Sequence, residues 1–121
     1  MAKGKAEPAA RIKTLAVDIG GSGIKALLLD ESGNPLTTRS RVETPKPATP
    51  KAVLDVIAGL AKAKGPFDRV SVGFPGVVRQ GVTVTAPNLD ASWQGYKLAA
   101  SLKRMLGKPV RVANDADVQG F

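Results

Sequence analysis

The feature that most constrains this chain is the glycine-rich segment at residues 18–25, which reads DIGGSGIK. It lies between two apolar runs, residues 15–17 and 26–29, whose length and flanking breakers indicate buried strands. The segment is therefore predicted to be a tight turn between strands. Glycine there permits a positive φ and lets backbone N–H groups approach an anion. Because the segment also carries an acid, a hydroxyl and a lysine, it suggests phosphate binding with Mg²⁺.

Three alternative explanations of this segment have to be weighed. A Rossmann loop requires G-x-G-x-x-G, a Walker A loop requires G-x-x-x-x-G-K-[ST], and both lead into a helix. Here the spacing differs and a strand is predicted to follow. A glycine-rich hairpin turn with no ligand fits these residues as well as phosphate binding does. The choice therefore depends on the rest of the chain.

The composition limits the class of protein. The 121 residues suffice for one domain or a large part of one, and no apolar run approaches the roughly 18 residues of a membrane span. Without cysteine or histidine, this sequence offers no disulfides, thiolate metal sites or histidine-based triads. Residues 1–11 show no secretory signal and are predicted to be a flexible basic tail, so a cytoplasmic location without membrane contact is expected.

The charge balance is strongly basic, with 18 lysines and arginines against 10 acids and a net charge of +8. Such an excess favours a polyanionic partner, which is a nucleic acid, an anionic surface or a phosphate-rich substrate, and solubility is its ordinary alternative explanation. Proteins that bind single-stranded nucleic acid usually present aromatic platforms, and this chain is only 4% aromatic. A nucleic-acid module is therefore the weaker choice.

The periodicity and the breakers predict an α/β fold. Three strands at 12–19, 24–30 and 36–42 precede a helix that is capped at Thr49 and ends near residue 64. A strand at 69–74, a hairpin at 77–85, a helix from about 94 to 106 and a strand at 109–113 follow. Short turns make the first three strands antiparallel, whereas strand-helix-strand units are parallel. The result is a mixed five-stranded sheet with flanking helices.

Five ordered motifs between about residue 15 and the end resemble those of ROK sugar kinases, and most of all their polyphosphate glucokinase and glucomannokinase branch. They are DIGGSGIK, TPKPATP, FPGVV, APNLDASWQG and VANDAD. The resemblance implies the N-terminal domain of an actin-like (ribonuclease H-like) ATPase over residues 12–113. Residues 114–121 would then begin the interdomain helix that leads to a C-terminal domain, which this sequence lacks.

The activity implied by the resemblance is phosphoryl transfer from polyphosphate and/or ATP, with Mg²⁺, to the 6-hydroxyl of glucose or mannose. A homodimer is implied for a full-length relative. The chain alone is expected to be inactive, because catalysis requires donor and acceptor to be clamped together. Two alternatives stay open: a non-catalytic, sugar-responsive regulator of the same family, and a basic module that binds nucleic acid or another anion.

The resemblance also implies roles for individual residues. Asp115 would be the general base that accepts the proton of the sugar hydroxyl. Asp18 would contact Mg²⁺ through water. Phosphate binding is assigned to Gly20, Gly21, Ser22, Gly23 and Lys25. Sugar binding is assigned to Gly76, Asn88 and Asn114.

Each of these residues also has an ordinary structural explanation. Asn114 and Asp115 can cap a helix, Gly76 and Asn88 can be turn residues, and Lys25 can extend along the sheet edge. Trp93 either stacks near the sugar or, as is commoner for a lone tryptophan, anchors packing.

Overall fold

The computed structural model of the protein describes residues 12–114, which form eight strands and two α-helices. The first half contains β1 (Thr14–Ile19), β2 (Gly23–Leu29), β3 (Ser40–Glu43) and α1 (Pro50–Lys64). The second half contains β4 (Arg69–Phe74), β5 (Val77–Arg79), β6 (Val82–Thr85), a 3-10 turn (Ala91–Trp93), β7 (Tyr96–Lys97), α2 (Leu98–Leu106) and β8 (Val110–Asn114). The predicted tail at 1–11 and the helix start from residue 115 onward lie outside the described residues.

The main sheet has five strands in the order β3-β2-β1-β4-β8. Strand β1 is antiparallel to β2, and β2 is antiparallel to β3. Strand β4 is parallel to both β1 and β8. The mixed five-stranded sheet predicted from the sequence is therefore confirmed. Its topology brings the carboxyl ends of β1, β4 and β8 to one edge.

One face of this sheet forms the hydrophobic core with the two helices. Alternate residues of β1 are buried and pair with buried residues of β2, for example Leu15 with Leu28 and Val17 with Ala26. Helix α1 contributes Val53 and Ile57, among others, to the same cluster, and α2 contributes Leu98 and Leu102. Full burial of a side chain of this kind stabilises the fold by about 1.5–3 kcal/mol. The core thus fixes the sheet edge at which β1, β4 and β8 end.

Local capping signals set the start of α1 and the end of α2 where the sequence predicted them. The Thr49 side chain accepts a hydrogen bond from the Ala52 amide at 3.2 Å, and Pro50 opens α1. Helix α2 ends at Gly107, which is left-handed and donates its amide to the Lys103 carbonyl at 2.8 Å. Neither helix within residues 12–114 is long and apolar enough to cross a membrane.

The third strand is shorter than predicted. The sequence predicts residues 36–42, whereas β3 spans Ser40–Glu43. The Leu36 amide donates to the Leu28 carbonyl, but the next bond comes from the Leu28 amide to the Thr37 hydroxyl, at 3.0 Å. A side chain thus replaces the backbone partner there, and the ladder does not continue until Ser40.

The second helix also begins later than predicted. A start near residue 94 was expected, but α2 begins at Leu98. Gly95 turns the chain with a φ of 73° and donates its amide to the Thr83 carbonyl at 2.8 Å. That bond draws residues 96–97 against β6 as β7, which completes a small second sheet, β5-β6-β7. Long-range pairing therefore overrides the local helical pattern.

Candidate functional site

The predicted site residues that the structure describes come together at the carboxyl edge of the main sheet. Ligands of α/β sheets usually bind at this edge. Asp18 is the penultimate residue of β1, and residues 20–23, hereafter the glycine loop, follow that strand and lead into β2. Gly76 follows β4, and Asn114 ends β8. Asp115 lies outside the described residues and follows Asn114 directly in the sequence.

The glycine loop is a compact turn closed by a hydrogen bond from the Gly20 amide to the Gly23 carbonyl, at 2.9 Å. None of its glycines has φ in the left-handed region, so the positive φ that glycine permits is not used. Glycine is needed for space instead. A Cβ on Gly20 would lie 2.8 Å from the Gly23 carbonyl oxygen, closer than real side chains approach. The positive φ expected from the sequence is therefore wrong, and glycine is required at position 20 because the loop approaches its own Gly23 carbonyl closely.

The carbonyl groups of the glycine loop are held by side chains and backbone from the β3 region. The Thr44 hydroxyl donates to the Gly20 carbonyl at 2.7 Å, and the Thr44 amide donates to the Ser22 carbonyl at 3.2 Å. The Arg41 guanidinium also donates to the Ser22 carbonyl, at 2.9 Å. Thr44 is only 3% exposed, so this support is rigid as well as specific.

The amides of the same loop remain available. Gly21 and Ser22 are exposed, and their N–H groups have no acceptor within residues 12–114. A turn whose carbonyls are bonded inward and whose amides face solvent presents a concentration of N–H dipoles, which is the usual backbone device for binding an anion. The arrangement can therefore hold a phosphate group.

Arg41 and Thr44 were missed by sequence reasoning. A Cβ on Gly23 would overlap the Arg41 guanidinium, so the arginine lies directly against the loop. Its position depends on the β2–β3 register, in which Lys25 pairs with Arg41 and Gly23 pairs with Glu43. Arg41 lies in none of the motifs identified in the sequence, and Thr44 opens the TPKPATP motif without any sign of a contact with the glycine loop. Both contacts join residues about twenty positions apart along the chain.

Asp18 and Lys25 lie directly opposite each other in the β1–β2 register. Both are partly exposed, and no salt bridge joins these two described residues. Within residues 12–114 no group of three or more acidic, cysteine or histidine side chains could hold a metal ion. A single carboxylate suits Mg²⁺ nevertheless, because that ion keeps most of its water and binds through one or two carboxylates and the substrate phosphates.

Gly76 and Asn114 are joined by a hydrogen bond. The Asn114 side-chain amide donates to the Gly76 carbonyl at 2.7 Å. A Cβ on Gly76 would overlap the Thr85 carbonyl oxygen, so no other residue fits there without a backbone shift. The end of β8 is thereby tied to the turn that follows β4.

Asn88 lies in the loop at residues 86–90, hereafter the asparagine loop, and its side chain is exposed. A Cβ on Gly21 would lie 3.4 Å from the Asn88 Cβ, which is van der Waals contact. The asparagine loop therefore lies against the glycine loop. The structure brings the residues predicted for phosphate and those predicted for sugar into one neighbourhood.

Trp93 is a packing anchor. It is fully buried, with ring centroids 5.0 Å from Phe74 and 5.5 Å from Tyr96. Its indole N–H donates to the Ala48 carbonyl at 2.7 Å. A residue with no exposed surface offers no face for a sugar to stack on, so the packing interpretation is confirmed.

Asp90 has a local structural role beside the site. Its carboxylate accepts a hydrogen bond from the Ser92 amide at 2.9 Å and another from the Ser92 hydroxyl, and it caps the 3-10 turn. These bonds favour the ionised form, so the Ser92 side chain first, and its amide second, hold the pKa of Asp90 below its ordinary value.

A groove of about 720 Å³ lies at the opposite edge of the sheet. It is lined by the amino ends of the parallel strands, including Thr14, Arg69 and Val110. None of the predicted site residues lines this groove. The candidate site at the carboxyl edge is therefore separate from this groove.

Comparison with known proteins gives a consistent result. The sequence model described as the ROK family matches residues 14–120. A polyphosphate glucokinase of Mycobacterium tuberculosis is 41% identical over 107 residues, which cover 87% of this chain and 40% of that protein.

Two solved structures are similar in fold and sequence. The inorganic polyphosphate/ATP-glucomannokinase of Arthrobacter sp. strain KM superposes with a TM-score of 0.83 at 39% identity, covering 90% of this chain and 46% of that one. A ROK family glucokinase of Streptomyces griseus, in complex with glucose and AMPPNP, gives a TM-score of 0.79 at 32% identity. The match covers 89% of this chain and 35% of that one. The chain thus spans less than half the length of these relatives.

Proposed function

Because the chain belongs to the ROK family, whose sequence model matches most of its length, we propose that it is the N-terminal part of a sugar kinase. The reaction is phosphoryl transfer from polyphosphate and/or ATP to the 6-hydroxyl of glucose or mannose. The glycine loop carries this proposal: its carbonyls are bonded to Thr44 and Arg41, and the amides of Gly21 and Ser22 face solvent. The names of the similar proteins support the same substrates.

On the donor side, the amides of the glycine loop would bind the terminal phosphates, and Lys25 would add positive charge. Asp18 lies opposite Lys25 and would hold Mg²⁺ through water. When bound, Mg²⁺ neutralises charge on the transferring phosphoryl group and the leaving group. With a net charge of +8, the chain suits an extended polyanionic donor.

On the acceptor side, Asn88, Asn114 and the backbone around Gly76 would bind the sugar hydroxyls. An asparagine side chain offers both a donor and an acceptor, which suits a hydroxyl. Asn114 donates to the Gly76 carbonyl through its Nδ2, which fixes its side chain beside the turn that follows β4. Asn88 is exposed and lies beside the glycine loop, which is proposed to bind the donor.

Asp115 would be the general base. As the 6-hydroxyl oxygen attacks the terminal phosphorus, its proton passes to the Asp115 carboxylate. The bond from that phosphorus to the bridging oxygen of the donor breaks, and the electron pair leaves with the shortened donor. A carboxylate is ionised at neutral pH and can accept a proton that becomes acidic only in the transition state.

We also propose that residues 12–113 form an N-terminal kinase domain that needs a second domain for activity. The relatives are more than twice as long as the region they share with this chain. Effective catalysis holds both reactants in one geometry, and a partial site loses most of that advantage. The 121-residue chain alone is expected to show little or no kinase activity.

The test uses the intact protein, meaning the complete gene product that contains this chain. A coupled assay for glucose 6-phosphate, run with polyphosphate or with ATP, should detect turnover with at least one donor. Asp115→Asn should lower kcat by about 10²–10⁴-fold while the protein stays folded. No turnover with either donor on glucose or mannose would contradict the proposed reaction, and full activity of Asp115→Asn would remove Asp115 from the role of base.

A further inference from the structure

Residues 44–49, hereafter the connector, join β3 to α1 and contact both sides of the candidate site. At one end, Thr44 donates two hydrogen bonds to the glycine loop, from its hydroxyl to Gly20 and from its amide to Ser22. At the other end, the Ala48 carbonyl accepts from the Trp93 indole at 2.7 Å and from the Asp90 amide at 3.4 Å. The connector therefore spans from the glycine loop to the asparagine loop.

The first end of the connector is buried, and the second is partly buried and bonded to a buried ring. Thr44 is 3% exposed, whereas Ala48 is partly exposed and its carbonyl accepts from the fully buried Trp93. A buried carbonyl that loses its donor costs more than an exposed one, because water cannot replace the bond. The sequence between the two ends, TPKPAT, contains two prolines whose φ angles are fixed by their rings. Because such a segment has few accessible backbone conformations, a shift of one end also moves the other end.

We infer that Thr44 is a positioning residue for the glycine loop and that the connector fixes the separation between the glycine loop and the asparagine loop. The inference rests on the proposed function, in which these loops bind the phosphoryl donor and the sugar. Reacting groups must be held within about 3–3.5 Å and in line, so a small shift of one loop against the other lowers the rate. The connector sets that spacing although it supplies no catalytic group.

Thr44→Val and Thr44→Ser in the intact protein test the first half of this inference. Valine keeps the shape of threonine but removes the hydroxyl donor to Gly20, whereas serine keeps the hydroxyl. We expect Thr44→Val to raise the KM for the donor about tenfold and to leave the KM for the sugar within about twofold. Thr44→Ser should restore values close to wild type. Equal effects of valine and serine on the donor KM would overturn the assignment.

Trp93→Phe tests the second half. Phenylalanine retains an aromatic ring in the core but cannot donate to Ala48. We expect it to raise the KM for the donor about threefold, although Trp93 does not touch the glycine loop. Tyr96→Phe is the matched control, since it changes the ring on the other side of Trp93 and leaves the connector intact.

The double variant Thr44→Val/Trp93→Phe then measures the coupling. If the connector acts as one rigid unit, loss of the Trp93 bond adds little once the Thr44 bond is lost. The rise in the donor KM of the double variant should then be smaller than the product of the two single rises. If the two rises in the donor KM simply multiply, the two ends of the connector act independently and the inference is contradicted.

Amide exchange separates failure of this inference from failure of the proposed function. If the intact wild-type protein phosphorylates no sugar, the proposed reaction is wrong, but the exchange rates of two hydrogen-bonded amides still test the support from Thr44: the Gly20 amide, which donates to the Gly23 carbonyl, and the Thr44 amide, which donates to the Ser22 carbonyl. We expect Thr44→Val to accelerate exchange of these two amides by about tenfold and Thr44→Ser to leave it near wild type. Unchanged exchange in Thr44→Val would overturn the inference whatever the activity.

Discussion

The phosphate side and the sugar side of the candidate site are held in different ways. The glycine loop is fixed from outside, since Thr44 and Arg41 occupy its carbonyls and leave the amides of Gly21 and Ser22 exposed. On the sugar side, Asn114 is itself bonded to Gly76. One side is positioned by neighbours that bind no substrate, and the other is positioned by the residues proposed to bind it.

This difference has a practical consequence. Substitutions at Thr44 or Arg41, which support the glycine loop, should alter the KM for the donor and leave the KM for the sugar unchanged. On the sugar side, substitution of Asn114 should remove a structural hydrogen bond and a sugar contact at the same time. Three substitutions in the intact protein test this division. In order of decreasing expected effect they are Gly76→Ala, Asn114→Ala and Arg41→Gln, each with a control variant.

Gly76→Ala should have the largest effect. Its Cβ would overlap the Thr85 carbonyl, and because the obstacle is backbone the β4–β5 turn must shift. We expect a loss of about 3 kcal/mol in the free energy of unfolding and loss of sugar phosphorylation. Denaturant unfolding and the coupled assay measure the two effects.

Gly59→Ala is the matched control for this substitution. Gly59 lies within α1, and a Cβ there would meet nothing within 4 Å. The same change should therefore stabilise the protein by about 0.5–1 kcal/mol, because alanine favours the helix. If both variants were equally stable, the overlap at Gly76 would not limit that turn.

Asn114→Ala should affect the sugar side alone. It removes the hydrogen bond to Gly76 and the side chain proposed to bind the sugar. We expect the KM for glucose to rise about tenfold and the KM for the donor to change less than twofold. Asn34→Ala, in the turn at the opposite end of β2, should alter neither constant. A rise in the donor KM as large as that for glucose would break the division between the two sides.

Arg41→Gln should give a smaller effect, confined to the donor. The guanidinium donates to Ser22 and lies beside the exposed loop amides, but Arg41 itself is exposed, so solvent screens its charge. We expect the KM for polyphosphate to rise about fourfold at low salt and the difference to shrink as salt increases. Arg39→Gln removes a nearby exposed arginine that has no bond to the loop and should leave both constants unchanged. A selective effect on the glucose KM would reverse the assignment of Arg41.

The sequence was sufficient for the parts of the fold that depend on local signals. Alternating apolar residues predicted the strands that build the main sheet. Thr49 and Pro50 predicted the start of α1, and Gly107 predicted the end of α2. The glycine-rich segment and the asparagine loop were also recognised, because the turn residues and the family motifs coincide there. The structure adds that these segments touch, at Gly21 and Asn88.

What the sequence could not predict depends on pairing between distant segments. The late start of α2 follows from the bond between Gly95 and Thr83, which no helical pattern reveals. The support of the glycine loop depends on the β2–β3 register, which brings Arg41 and Thr44 to it from about twenty residues away. A local motif can therefore identify a binding loop without showing what holds it in place.

The pH dependence of stability near the asparagine loop should give the smallest effect. Hydrogen bonds from Ser92 hold the pKa of Asp90 below its ordinary value near 3.8. A carboxyl whose pKa is lower in the folded state stabilises the protein above its unfolded pKa, and this contribution is lost as the pH falls through the folded value. The stability difference between wild type and Asp90→Asn should therefore be constant above about pH 5 and narrow progressively below pH 4. Thermal unfolding midpoints between pH 3 and 7 measure this stability difference, with Glu31→Gln, another acid at a turn, as the control.

A stability difference that stayed constant down to pH 3 would mean that the Ser92 bonds do not favour the ionised carboxylate of Asp90. The 3-10 turn that carries Trp93 to the connector would then be held by its backbone bonds and by the burial of Trp93 alone.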